Sequence, residues 1–341
     1  MTDALMFATG VHTERDFVLE SGAVLPVAEV AYVTLGRLNA DRSNAILLAH
    51  GYTSSHTFVL EGSAAAEGSW SELVGPGRAI DTDRYFVISS NALGSCYGST
   101  GPGSVNPETG KPYGPDFPAV RFADIARLQK VMLSSLGVDR LHAAVGVSMG
   151  GFQVLQWGVQ YPDDVGKIVV ALSSPAGLFR AGEPDATGQA LRADPAWNDG
   201  HPEPRAMVPL LADIRMKTLL NYGMDAWLAA QGQTEPQRLA TMRQMAEEWA
   251  EGFDSRSLLV LRDAISHFDV VRTCGAIRAS VLLVLSTTDA IFPASQGPDM
   301  LRMLRGQGVD VRFHELESPF GHLASGLDWQ RWAAPLQDFL A

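Results

Sequence analysis

A chain of 341 residues with 46% hydrophobic and 19% charged content is long enough for one large α/β domain, or a core with an insertion, around a sizeable interior. Its formal net charge of −12 and pI near 5.1 argue against a nucleic-acid surface or a binder of anionic membranes. Cys96 and Cys274, the two cysteines, make neither a disulfide framework nor a metal-ligand spacing, so no metal is expected and a reducing, cytoplasmic compartment is. Residues 1–7 lack the basic region and long apolar stretch of a signal peptide, and no apolar run reaches membrane-spanning length.

Residues 17–25 and 28–35 cluster apolar side chains about Ser21-Gly22 and predict an early β-hairpin. Residues 44–49 predict a short buried strand that runs into His50-Gly51-Tyr52, and residues 85–90 the next strand. Residues 91–106 are rich in glycine and small polar side chains, which predicts a long ordered loop. Cys96 lies in it with no histidine nearby in sequence and reads as structural. Residues 122–136 carry helical periodicity and end at Gly137. A buried strand at 141–145, a packed helix at 152–161 and a strand at 167–172 follow. The strand rhythm then stops. Residues 206–223, 225–231 and 236–250 predict helices, the pattern of a helical cap, with Trp197, Trp227 and Trp249 packing within it or against the core. Residues 257–267 predict a helix back to the core, 280–286 and 309–316 the last strands, and 329–341 a closing helix. This divides the chain into a core at 1–175 and 251–341 and a cap at 176–250. Alternating strands and helices predict a mostly parallel central sheet with helices on both faces.

The chemistry centres on Gly146-Val147-Ser148-Met149-Gly150, a G-x-S-x-G sequence between a predicted strand and a predicted helix. That is the nucleophile-elbow pattern of the α/β-hydrolase fold. The plain alternative is a glycine-rich helix start capped by a serine. Two further groups stand just beyond predicted strands, Asp289 and His322, and the chain order Ser148, Asp289, His322 is that of an α/β-hydrolase triad. A serine hydroxyl is a poor nucleophile until a base takes its proton. His322 would do so, and Asp289 would hold the imidazole tautomer. Backbone N–H groups of Tyr52 and Met149 would face the oxyanion. Asp299 and Asp328 compete with Asp289 as the acid, and His12, His142, His201, His267 and His314 have no motif about them. His56, near the oxyanion loop, is a candidate substrate contact.

These residues resemble a family. Residues 44–50, Ser95-Cys96-Tyr97-Gly98-Ser99-Thr100-Gly101-Pro102, Gly110-Lys111-Pro112-Tyr113-Gly114, Ser148-Met149-Gly150-Gly151, Ala193-Asp194-Pro195-Ala196-Trp197 and Phe253-Asp254-Ser255 are similar to the homoserine O-acetyltransferase family of α/β-hydrolases over almost the whole chain. The resemblance implies ping-pong chemistry, in which acyl-CoA acylates Ser148 and an acceptor hydroxyl takes the acyl group. It also implies a cap arginine for the homoserine carboxylate, followed a few residues on by Thr-Tyr. Arg215 is the candidate for that arginine, with a shift, and Leu219 stands where the tyrosine is expected. Leu323 follows His322, where the family generally has aspartate. These departures make a carboxylic-ester hydrolase, or an acyltransferase with a non-homoserine substrate, the first expectation. Homoserine O-acetyltransferase using acetyl-CoA, a step of methionine biosynthesis, is the alternative; a non-catalytic binding protein on this scaffold is a remote one. No bound cofactor is implied. Acyl-CoA is the candidate co-substrate, the partner is a small-molecule ester or acyl donor, and the cap is a candidate homodimer surface.

Overall fold

The structure, a computed structural model, describes residues 7–63, 69–179, 182–183 and 185–341. The reading of residues 1–6 lies outside them. Eight strands form one sheet: β1 (Phe7–Val18), β2 (Val24–Leu35), β3 (Ala45–Ala49), β4 (Phe86–Ser90), β5 (Leu141–Val147), β6 (Val165–Ala171), β7 (Ser280–Ser286) and β8 (Val311–Leu316). Their spatial order is β1-β2-β4-β3-β5-β6-β7-β8. β1 and β2 are antiparallel to their neighbours, and β4 through β8 run parallel. The central strands are mostly apolar because both faces are covered. In β3 all five residues are buried: Ile46 and Leu48 pack on the side of Trp70 and Trp332, while Leu47 packs on the side of Phe152 and Trp157.

The hairpin turns at the expected Ser21-Gly22, but its first strand begins at Phe7, well upstream of the predicted residue 17. Most of β1 is exposed, so pairing with β2 rather than burial makes it a strand, and hydrophobic pattern does not report it.

Helices α1 (Phe122–Ser135) and α2 (Met149–Gln160) pack against the sheet. Between β6 and β7 come α3 (Ala186–Ala193), α4 (Val208–Tyr222), α5 (Met224–Ala230), α6 (Glu235–Gly252) and α7 (Ser255–Ser266). Helices α8 (Gly297–Gly306), α9 (Ala324–Leu327) and α10 (Ala333–Leu340) complete the chain. The sequence reading expects no helix at α8, where Gly297-Pro298 opens the element and a single face, Met300 and Leu304, is buried. The predicted closing helix is split into a 3₁₀ turn, Trp329–Arg331, and α10.

The helices between β6 and β7 share their own apolar cluster, with Leu211, Leu219, Leu228, Met242 and Trp249 buried together and Leu323, next to His322, among them. This layer therefore sits on the segment that carries the histidine. Among the described residues, no helix is long and apolar enough to cross a membrane, and no cluster of His, Cys, Asp and Glu could hold a metal ion.

Candidate active site

The parallel strands deliver their C-terminal ends to one edge of the sheet, where open α/β sheets bind ligands. Ser148 follows β5 with φ 54° and ψ −120°. Positive φ at a non-glycine residue costs roughly 1–3 kcal/mol and persists only where packing imposes it. Here packing does so. A Cβ on Gly146 would lie 2.1 Å from the Gly150 carbonyl oxygen, and a Cβ on Gly150 would lie 2.0 Å from the Ala49 oxygen. The Ser148 N–H donates to the Ala171 carbonyl at 2.9 Å. Met149 opens α2, so its N–H has no intrahelical acceptor and lies at the positive end of the helix.

Ser148 Oγ lies 2.9 Å from His322 Nε2, and His322 Nδ1 lies 2.8 Å from Asp289 Oδ2. The other Asp289 oxygen, Oδ1, accepts from the Ile291 N–H at 2.8 Å. The His322 and Asp289 side chains are 4% and 0% exposed. With a neutral ring, one arrangement satisfies this line: Nδ1–H donates to the carboxylate and Nε2 accepts from the serine hydroxyl. Thr288 ties the two loops together, its Oγ1–H donating to the Ser318 carbonyl at 2.7 Å and its Oγ1 accepting from the Gly321 N–H at 3.0 Å. The competing acids lie elsewhere, Asp299 paired with Arg302 and Asp328 with Arg331.

Above Ser148 is a cavity of about 390 Å³, walled by Tyr52, Met149, Phe152, Tyr222, Trp249 and Ile291 among others, and mostly apolar. Among the described residues, no aspartate or glutamate lines it. A larger hollow of about 490 Å³, beside Phe117, Trp197 and Arg256, touches none of the three aligned residues. Tyr52 lines the cavity, and its hydroxyl donates to the Leu258 carbonyl at 2.5 Å. His56 is not in the cavity wall; it starts a 3₁₀ turn, His56–Val59, and burial pushes its ring down to about 4. Cys96 is buried enough to push its thiol up to about 12, so it stays protonated and is no nucleophile at neutral pH.

Arg215 reaches from α4 to the loop that follows β3. Its Nη1 donates to Thr53 Oγ1 at 2.9 Å, and its guanidinium lies 4.8 Å from the Trp249 ring centroid. Burial pushes its pKa down, to about 9, which leaves it charged at neutral pH. Trp249 Nε1–H donates to the Thr53 carbonyl at 2.9 Å. Leu219 keeps the departure expected of it, and the cavity has its tyrosine elsewhere. Leu219 is buried in the apolar cluster of the overlying helices, and Tyr222, almost one helical turn on, is the tyrosine that lines the cavity. Its ring centroid is 4.7 Å from that of His322. The missed signal was Asn221-Tyr222 just ahead of the helix-ending Gly223.

Residues 44–327 match the family described as the alpha/beta hydrolase fold. A homoserine O-acetyltransferase of Geotalea daltonii is 35% identical over 366 residues, spanning 100% of this chain and 99% of that protein. The chain belongs to the homoserine O-acetyltransferase family of α/β-hydrolases. A solved homoserine O-acetyltransferase from Bacillus anthracis has a TM-score of 0.84 at 26% identity, covering 99% of this chain and 98% of its own. A crystallised esterase has a TM-score of 0.84 at 27% identity, covering 98% of this chain and 100% of its own. Membership in this family makes the chain an enzyme of the acyltransferase and hydrolase kind.

Proposed function

We propose that the chain is a serine acyltransferase that works by ping-pong transfer from an acyl-CoA thioester to a hydroxyl acceptor, with homoserine as the acceptor. The observation that carries it is the continuous line Ser148–His322–Asp289 beneath a mostly apolar cavity. Ser148 Oγ attacks the thioester carbonyl while His322 Nε2 takes its proton. The tetrahedral oxyanion lies against the N–H groups of Tyr52 and Met149, each such donor being worth roughly 3–4 kcal/mol in comparable sites. The C–S bond breaks, and the imidazolium returns the proton to the leaving thiolate. The acceptor hydroxyl then gives its proton to Nε2 and attacks the acyl-enzyme, and Ser148 leaves with that proton. Asp289 orients the ring and stabilises the imidazolium in both halves.

Homoserine is supported by the name of the full-length Geotalea daltonii relative; Arg215 is not itself in the cavity wall, but its partners Thr53 and Trp249 are, which sets a charged guanidinium directly behind that wall for a substrate carboxylate. Tyr222 stands next to His322, within reach of an acceptor hydroxyl. A second reading, hydrolysis of a carboxylic ester, is favoured by Leu323, which is buried after His322, and by the lack of a lining carboxylate among the described residues to meet an ammonium group. The esterase likeness points the same way. The deciding assay supplies acetyl-CoA with and without L-homoserine, and separately p-nitrophenyl acetate, with Ser148→Ala as control. Homoserine-dependent release of CoA is expected. Ester turnover with no homoserine-dependent CoA release would overturn the transferase reading in favour of the hydrolase.

A further inference from the structure

His50 takes no part in the steps above, yet it is fully buried at the end of β3 and both its ring nitrogens are engaged. Nε2 accepts from the Ala92 N–H at 3.2 Å. A backbone N–H only donates, so Nε2 carries no proton and the neutral ring holds its proton on Nδ1. Nδ1 lies 2.7 Å from the Gly51 carbonyl oxygen and donates to it, and the same oxygen accepts from the Ser54 N–H at 3.2 Å, so the imidazole is the side-chain half of a two-donor clamp on this carbonyl. The Gly51–Tyr52 peptide is trans, and across a planar trans peptide the N–H is directed opposite to the C=O. Holding the Gly51 carbonyl therefore aims the Tyr52 N–H the other way. Ser148 lies close to this peptide. A Cβ on Gly51 would sit 3.6 Å from Ser148 Cβ, and Tyr52 shares the cavity wall with Ser148. No backbone carbonyl among the described residues accepts from the Tyr52 N–H.

The His50 backbone is held by a buried polar chain. Gln153 Nε2 donates to the His50 carbonyl at 3.4 Å, Gln129 Nε2 donates to Gln153 Oε1 at 2.8 Å, and Trp157 Nε1 donates to Gln129 Oε1 at 2.8 Å. All four residues are buried. Burial also pushes the His50 ring down to about 4, so it stays neutral, with Nε2 open to Ala92, at working pH.

We infer that His50 is a positioning residue for the oxyanion site, locking the Gly51–Tyr52 peptide so that its N–H faces the carbonyl attacked by Ser148. The inference rests on the Ser148 acyl-transfer reading and holds whichever acceptor resolves the acyl-enzyme. The test uses p-nitrophenyl acetate with wild type, His50→Ala and His50→Asn. His50→Ala is expected to lose roughly 10²- to 10³-fold in kcat, the scale of a lost oxyanion donor, with KM changed by less than about threefold. Affinity for a trifluoromethyl ketone, whose adduct places an oxyanion in the same site, falls in proportion. His50→Asn, whose amide can donate to the same carbonyl, recovers about tenfold or more. A His50→Ala kcat within about threefold of wild type overturns the inference. Should His50→Ala fail to fold, ¹⁵N NMR of the wild-type imidazole decides: a proton on Nδ1 and a bare Nε2 support the lock, and a proton on Nε2 overturns it. A wild type inert to the ester would sink the acyl-transfer reading instead, and the same NMR outcomes would still decide the His50 tautomer on which the lock depends.

Discussion

At the residue scale, the aligned groups make sharp demands. Ser148→Ala should lower kcat for p-nitrophenyl acetate by roughly 10⁴-fold or more, with an unchanged thermal midpoint as the check on folding. Asp289→Asn keeps the contact but offers an amide where Nδ1–H needs a carboxylate. The ring then takes the other tautomer, with a proton on the Nε2 that faces Ser148, and a loss of about 10⁴ in kcat is expected. Arg215→Lys removes a planar fork stacked near Trp249 and bonded to Thr53. It should raise KM for homoserine about tenfold or more while leaving p-nitrophenyl acetate turnover within a few-fold. An equal loss on both substrates would show that Arg215 only braces the oxyanion loop. Ser148, Asp289 and His322 are legible in sequence because each stands just past an apolar strand, so chain order and strand ends identify them without contacts. Tyr222 is not legible in this way. Which face of α4 meets the cavity is set by packing against α6 and Leu323, and spacing along the chain does not state it.

At the scale of elements, the end of α4 and the histidine loop interlock backbone to backbone. Gly223 ends α4 at φ 98°, and a Cβ there would lie 2.7 Å from the Phe320 carbonyl oxygen. Gly321, next to His322, has φ 56°, and a Cβ there would lie 2.8 Å from the Tyr222 carbonyl oxygen. Gly223→Ala meets both a left-handed backbone and a blocked space, so a stability loss of about 1–3 kcal/mol is expected in urea titrations. Because the displaced neighbour carries His322, kcat should fall more than KM rises. Unfolding at the wild-type urea midpoint together with wild-type kcat would show that the two segments separate freely. The same tightness explains why the elbow tolerates glycine alone at 150, where the end of β3 presses on the turn.

At the scale of the whole molecule, buried neutral histidines tie stability to pH. Burial holds His50 and His56 at about 4, against about 6.5 when unfolded. Between those values the unfolded chain binds more protons than the folded one, so stability rises with pH. The contribution is complete above about pH 6.5 and is lost as pH falls toward about 4, up to ~3 kcal/mol for each ring. Thermal midpoints should therefore drop steadily from pH 7 to pH 4. His56→Gln should flatten part of that slope, and an unchanged slope would show that His56 is not held neutral. His142 and His314 are shifted downward by burial as well and add to the trend.

The sequence alone determined the central strands and most of the helices between them, though not α8 or the start of β1, together with the insertion of helices after β6, the turn at Ser148 and the family. These are properties of local pattern, because burial on both faces of a parallel sheet writes continuous apolar runs, and a tight turn writes glycines. The tertiary structure decided what depends on faces meeting across space. It joined β1 along its whole length to β2 through backbone pairing that leaves no apolar trace. It chose Tyr222 over Leu219 for the cavity wall, and it gave His50 two backbone partners on either side of its ring. Such contacts are set by how helices rotate and how strands register, and residues far apart in the chain carry no local mark of them.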